Sequence, residues 1–391
     1  MRILVIGSGL MGPAAAYNAL SDPRVTQVLL CDAQPEQIDA ARARLARLPG
    51  GDRLDTAVLD LSDQAAAVRT LAGFDAVLAA LPRSAIPLGI QAAVAAGVPY
   101  VDLSWPPDDQ VPALQQRVES SGSLVIPGCG LEPGLTEIMA RFLAEKLDRV
   151  DELHIKCGGI PAVPSGPLGY KIVFGGRQLP LREQEARLVD DGALMPVPRY
   201  SDTEPAVFDG VGEVEAWHEG FMPWLLDLEP LKALKRGTQK TVRWPGYAAR
   251  ATLLKELGLL SQEPVDVGAA RVAPKQLLDA VLYPRVRMED GERDIVVLRV
   301  EASGQKDGLP RRYQVEMVDR FDEGLGFTAM ARTTAFTGAI VARMAARGEI
   351  GARGWLTPEK VITGPLLSRL VSELRELGIT FSVKTESVEL L

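Results

Sequence analysis

Through the first third of the chain, short apolar runs alternate with segments of helical period. The runs lie at 2–6 (RILVI), 27–31 (QVLLC), 56–61 (TAVLDL), 76–81 (AVLAAL), 100–103 (YVDL) and 123–126 (SLVI). Each is too short for a helix and apolar on both parities, as expected of a strand covered on both faces. Between them, 35–48, 63–72, 86–96 and 109–120 carry helical periodicity. Strand and helix in strict alternation predict an α/β fold, a doubly wound parallel sheet of the Rossmann type. Beyond residue 127 the period changes. An amphipathic helix at 136–147 gives way to alternating polar and apolar segments at 152–157, 170–174, 207–217, 239–244, 294–302 and 313–321. Turns at Asp190-Asp191-Gly192 and Lys306-Asp307-Gly308 mark hairpins, and helices interrupt at 248–257 and 274–282. These features predict a second α+β domain on a mainly antiparallel sheet. Helical periods return at 333–347 and 364–377, each closed by a glycine. The expected division is therefore 1–127 for the parallel sheet, 128–332 for the second domain, and 333–391 as a helical segment packing back on the first.

The first run ends directly in Gly7-Ser8-Gly9-Leu10-Met11-Gly12, so strand, glycine turn and helix start are contiguous. In that setting G-x-G-x-x-G binds a dinucleotide: Gly7 makes the turn, Gly9 admits the pyrophosphate, and Gly12 lets helix and strand pack closely. The helix amides and dipole then face the phosphates. Asp32 follows the second run, about 20 residues after the glycines, where a carboxylate reaches the adenosine ribose hydroxyls. It would repel the 2′-phosphate of NADP. Ala33, Gln34 and Pro35 offer no cation to receive that phosphate, so NAD is the expected cofactor. Asp60 and Leu61 end the third run where adenine would lie, and Leu81 and Pro82 end the fourth beside the topological switch point, flanking the nicotinamide half.

A length of 391 residues exceeds one ordinary core, consistent with two domains. A charged fraction of 24% against 47% hydrophobic residues belongs to a globular chain rather than a disordered one. The net charge of −8 and the lack of a basic run predict no nucleic-acid or anionic-membrane partner, and no apolar stretch is long enough to span a bilayer. The chain opens straight into a strand without signal-peptide layout, so a cytoplasmic location is expected. With three scattered cysteines and two histidines, neither disulfides nor a metal centre is expected. His154, inside a strand, and His218 read as packing residues, as does Cys129; Trp105 either walls a pocket or fills core. Sheets of the second domain's kind often pair across a two-fold axis, which makes a homodimer or higher homo-oligomer plausible.

Several segments carry a resemblance to a known family: MRILVIGSGLMG at the start, VPYVDLSWPPDD (98–109), GCGLEPGLTEIMA (128–140), GGIPAVPSGPLGYKIVF (158–174), TVRWPGY (241–247) and RTTAFTGAIVARM (332–344). Nearly end to end, the chain resembles the saccharopine dehydrogenase and lysine 6-dehydrogenase family, NAD(P)-dependent enzymes acting on carbon–nitrogen bonds. GGIP, GYKI and RWPG look most like the lysine 6-dehydrogenase branch. The resemblance implies oxidation of the ε-amino carbon of L-lysine, hydrolysis to the 6-semialdehyde, and cyclisation to 1-piperideine-6-carboxylate. Alternatives are a saccharopine or carboxynorspermidine-type reductase, whose substrates carry more carboxylates, and a non-catalytic NAD(H) sensor.

Hydride leaves a carbon bearing a neutral amine. With an ammonium pKa of about 10.4, roughly one lysine in a thousand is neutral near pH 7.4, a handicap of about 4 kcal/mol. A base must offset it. Asp102, at the carboxyl end of the fifth run, is the first candidate, with helix capping or ribose binding as its other reading. Glu132, in the turn after the last parallel run, is the second, or else a solvated loop carboxylate. An α-carboxylate calls for an Arg, and Arg243, mounted between an apolar strand and a Trp-Pro-Gly turn, suits either that role or a structural ion pair. The resemblance adds Tyr170 and Lys171, which strand alternation would point to opposite faces. Arg332 and Thr334, opening the late helix, are candidates for anion binding or for capping.

Overall fold

The computed structural model describes residues 1–289 and 291–387. The described residues fall into two compact units, 1–138 with 323–327 and 331–379, and 139–322 with 328–330 and 380–387. The first unit runs past residue 127 because the following glycine turn hydrogen-bonds back onto the sheet. Gly128 N–H donates to Ser104 O (2.9 Å) and Cys129 N–H to Asp102 O (2.7 Å).

The first unit is built on strands β1 (Arg2–Ile6), β2 (Gln27–Asp32), β3 (Leu54–Val58), β4 (Ala76–Ala79), β5 (Tyr100–Asp102) and β6 (Leu124–Ile126). Their order is β6-β5-β4-β1-β2-β3, all parallel, so the chain reverses direction across the sheet between β1 and β4. The two-residue strand Gly354–Trp355 adds in parallel to β6, which makes seven. Ile3, Leu4, Val5, Val77 and Leu78 have no exposure, as strands covered on both faces require. The returning helix lies across the ends of β4 and β5: a Cβ on Gly338 would meet Leu103 at 2.3 Å and the carbonyl of Cys129 at 3.0 Å. Its Arg343, 3% exposed, reaches Asn18 Oδ1 (2.9 Å), Asp22 Oδ2 (3.2 Å) and Glu373 Oε2 (2.7 Å). Burial raises the Asp22 carboxyl, but Arg24 and Arg343 outweigh it and hold the group far below the usual range.

In chain order, the second unit adds β7 (Arg149–Pro161), β8 (Ala186–Asp190), β9 (Ala193–Val197), β10 (Glu204–Phe208), β11 (Gly212–His218), β12 (Arg236–Arg243), a small hairpin of β13 (Val265–Val267) and β14 (Ala270–Val272), then β15 (Asp294–Lys306) and β16 (Leu309–Arg320). Counting Gly354–Trp355 as β17, the last strand is β18 (Ser382–Ser387). Nine of these form one sheet, β10-β11-β12-β7-β15-β16-β18 with β8 and β9 alongside, in which β12 and β7 run parallel and the other pairs antiparallel.

Three expectations on local structure are corrected. The segment 207–217 is a hairpin that turns after Phe208, not one strand. Residues 170–174 form no strand: Gly169 (φ +62°) and Gly175 (φ +84°) bracket the run, and Ile172 makes a single bridge to Arg287. The late helix begins at Ala329 rather than at 333, because the Asp294 carboxylate caps it, accepting from Ala329 N (2.7 Å) and Met330 N (2.9 Å). Arg332 and Thr334 therefore sit in a π-helical turn, Arg332–Phe336, inside the helix and not at its start. No helix among the described residues is long and apolar enough to cross a membrane.

Candidate active site

The turn after β1 is held by contacts that leave glycine no substitute. Gly7 adopts φ +97°, and a Cβ there would stand 2.3 Å from the carbonyl oxygen of Ala80; on Gly12 it would stand 1.8 Å from that of Gly7. Gly9 differs: its Cβ position meets nothing within 4 Å. Helix α1 (Met11–Ser21) carries no acidic residue in its first turn and no side-chain cap at Leu10. A tight turn, open space over the central glycine and an uncapped helix start form the cradle that a pyrophosphate fits. Asp32 closes it from β2. Its Oδ2 accepts from the Ser8 amide (2.7 Å) and hydroxyl (3.0 Å), and its Oδ1 accepts from Gln34 N (2.9 Å). The carboxylate thus orders the glycine turn while retaining lone pairs for ribose hydroxyls. Asp32→Ala is expected to weaken cofactor binding by about 1.5–3 kcal/mol, the range for charge-assisted hydrogen bonds; a titration returning wild-type affinity would remove Asp32 from the site.

Asp60, Leu61, Leu81 and Pro82 follow β3 and β4. Asp60 is exposed and accepts from Ser62 N (2.8 Å), Leu61 is buried, Leu81 is half-buried and Pro82 is exposed.

Asp102 has no exposure. Tyr100, on the same side of β5, donates its hydroxyl to Oδ2 (2.7 Å), and Ser104 N donates to Oδ1 (2.9 Å). Burial pushes the carboxyl up to about 7 against the pull of both donors. Glu132, half-buried in the Gly128–Gly134 turn, is the more accessible carboxylate of the two. A carboxyl raised on folding binds protons the unfolded chain has released, so this contribution to stability falls as pH rises from about 4 to about 7. Asp102→Asn is expected to flatten that part of the stability profile. Denaturant unfolding at several pH values checks this; a mutant that still loses stability over the same interval as steeply as wild type would refute it.

Arg332 is 4% exposed and donates to Leu377 O (2.8 Å), where a helix ends. The methyl of Thr334 lies 3.0 Å from where a Cβ on Gly130 would stand. Lys171 pairs with Glu292 (3.1 Å) and donates to Arg287 O (3.1 Å). His154 bonds Thr238 (2.8 Å) within the sheet. Cys129 is fully buried, its thiol pushed up first by burial and then by Glu359 and Asp102.

In the second unit, Arg243 ends β12, and the Trp-Pro-Gly turn behind it is pinned from β11. Glu215 accepts from Gly246 N (2.7 Å) and Ala248 N (2.6 Å), capping the helix Tyr247–Glu256. Trp244 Nε1 donates to Pro161 O (2.8 Å). Arg243 is 8% exposed; its guanidinium donates to Val242 O (2.8 Å) and lies 4.6 Å from the Tyr170 ring centre and 5.7 Å from that of Tyr247. Trp217 stacks parallel to Tyr247 at 5.9 Å, and Tyr200 packs on Trp217 at 4.8 Å. Glu219 binds Arg182 (2.9 Å) and Arg199 (2.5 Å). Burial raises the Tyr170 phenol against the lowering effect of Arg243. Arg243 and Tyr170 are thus brought together. Trp217, Tyr247 and Glu219 were not singled out from sequence; Tyr247 closes the RWPGY segment, but its stacking on Trp217 has no local signal.

A parallel sheet whose first strand runs into a glycine turn that fits a pyrophosphate defines the class of dinucleotide-binding proteins. The saccharopine dehydrogenase NADP-binding domain matches residues 3–125, and the saccharopine dehydrogenase C-terminal domain matches 130–379. The chain belongs to the saccharopine dehydrogenase family. It is 23% identical to a carboxyaminopropylagmatine dehydrogenase of Synechocystis over 94% of this chain and 95% of that one. It is 22% identical to the NADP(+), L-glutamate-forming saccharopine dehydrogenase of Saccharomyces cerevisiae over 98% and 99%. A mouse mitochondrial alpha-aminoadipic semialdehyde synthase is 22% identical over 98% of this chain, which spans 48% of that protein. The solved saccharopine dehydrogenase of Saccharomyces cerevisiae shares the fold, with a TM-score of 0.80 at 19% identity over 99% of this chain and 100% of that one.

Proposed function

We propose that the protein oxidises the ε-amino carbon of L-lysine with NAD, giving the imine that hydrolyses to the 6-semialdehyde and cyclises. The observation that carries this is Arg243: a nearly buried guanidinium, backed by two phenol rings, suits a single planar carboxylate. Gly7, Gly9, Gly12 and Asp32 hold the cofactor, which when bound accepts the hydride. The carboxylate of Asp32 at the ribose position, with Ala33 and Gln34 beside it, supports NAD over NADP. Of the two candidate bases, Asp102 at the carboxyl end of β5 and Glu132 in the glycine turn, Glu132 is the accessible one and receives the ammonium proton in this reading.

A second reading is favoured by the names of the relatives and by Arg182 and Arg199 around Glu219. In it the substrate is a bulkier secondary amine with further carboxylates, as in saccharopine. Lysine with NAD alone, followed by the absorbance of the reduced cofactor, separates the two. Reduction with lysine and none with saccharopine supports the first; the reverse pattern, or a preference for NADP, overturns it.

A further inference from the structure

Among the polar tips around Arg243 that are sealed from solvent and hydrogen-bond to nothing among the described residues are the indole Nε1 of Trp217 and the hydroxyl of Tyr247. Both side chains are 1% exposed. A buried donor without an acceptor costs on the order of 1–3 kcal/mol, so two in one stack call for an acceptor that the chain itself does not supply. The surroundings define that acceptor's chemistry. An indole N–H only donates, the guanidinium only donates, and the nearby carboxylate Glu219 is already paired with Arg182 and Arg199. The deficit is therefore of acceptor oxygens, and negative charge is favoured beside the cation.

We infer that Trp217 and Tyr247 are substrate-binding residues, donating to a carboxylate whose charge Arg243 neutralises. The inference rests on the reading of Arg243 given above and extends it from one contact to a three-donor receptor. Tyr247 directly follows Gly246 (φ +91°), and Tyr170, which packs edge-on against it at 5.5 Å, follows Gly169 (φ +62°). Both phenols are thus mounted directly after left-handed glycine bends, a backbone conformation that fixes where each ring stands and that other residues adopt only with strain. The rings hold Arg243 by cation–π contact, and the polar tips read the anion, so one set of side chains has two separable roles.

The two roles part on substitution. Tyr247→Phe and Trp217→Phe keep aromatic rings and delete the donors. L-norleucine, which has the α-carboxylate of lysine but no ε-amine, reports binding without turnover; L-norleucinol replaces the carboxylate with a hydroxymethyl group. By calorimetry with NADH present, each variant is expected to bind norleucine about tenfold more weakly than wild type, as for a lost charge-assisted bond, and to bind norleucinol unchanged. Norleucine affinity unaltered in both variants would overturn the proposal, as would equal losses for both ligands, which would mean that the tips serve a buried water or ring packing only. Failure of norleucine to bind the wild-type protein overturns it as well. Norleucine binding without lysine oxidation would instead sink the proposed reaction and leave this receptor standing.

Discussion

Gly9→Val is expected to fold and melt as the wild type does, yet to lose cofactor affinity by about a hundredfold, on the order of 3 kcal/mol. The Cβ position of Gly9 meets no atom within 4 Å, so a side chain there starts in open space; it occupies the room through which a pyrophosphate reaches the backbone amides. Gly12→Ala makes the contrasting case. Its methyl would stand 1.8 Å from the carbonyl oxygen of Gly7, so α1 has to shift against β1 before any ligand is added. That substitution is expected to lower the melting temperature and the affinity together. Thermal melts paired with calorimetric titration of both reduced cofactors distinguish the two. A Gly9→Val protein that binds cofactor as wild type does would mean that phosphate does not lie over this turn, and the dinucleotide site would have to be sought elsewhere. Equal loss of stability in both variants would make the motif a packing device.

The difference between those glycines was legible from residue spacing, because strand, turn and helix are contiguous and each position has a fixed task. The rest of the parallel sheet was legible for a similar reason: strands buried on both faces read as unbroken apolar runs whatever surrounds them. Gly354–Trp355 escaped because two residues carry no period, and only its pairing with β6 makes it a strand. The hairpin β10–β11 was merged into one strand since both arms alternate across a short turn. The run 170–174 misled in the opposite sense: Tyr, Ile, Val and Phe favour extended chain, but the bracketing glycines set a bend, and with the strand goes the expectation that Tyr170 and Lys171 face apart. At the site, Asp102 was placed at its strand end from sequence. Its pairing with Tyr100 follows from two-residue alternation on β5, whereas its complete burial depends on the glycine turn and helix packed over it. Trp217 and Tyr247 lie on separate elements, and nothing local connects them.

Arg243→Met is expected to lower kcat/KM for lysine by about 2–5 kcal/mol, the cost of removing one partner from a buried, hydrogen-bonded charge pair. Methionine keeps much of the volume against Tyr170 and removes the charge, so the substitution tests the cation rather than the packing. The same change leaves Glu215 in place to cap the helix after the Trp-Pro-Gly turn, and the fold around it is expected to hold. Steady-state kinetics with lysine and with 1,5-diaminopentane, which lacks the carboxylate, give the decisive comparison. If Arg243 reads the carboxylate, the wild-type preference for lysine over the diamine collapses in the variant while the rate on the diamine is little altered. If Arg243 is instead a structural ion-pair residue, both substrates suffer alike and the melting temperature falls with them. Wild-type efficiency on lysine would reject the assignment and with it the three-donor receptor built upon it. The cofactor turn would remain intact, because its geometry depends on Gly7, Gly12 and Asp32 and on no residue of β12.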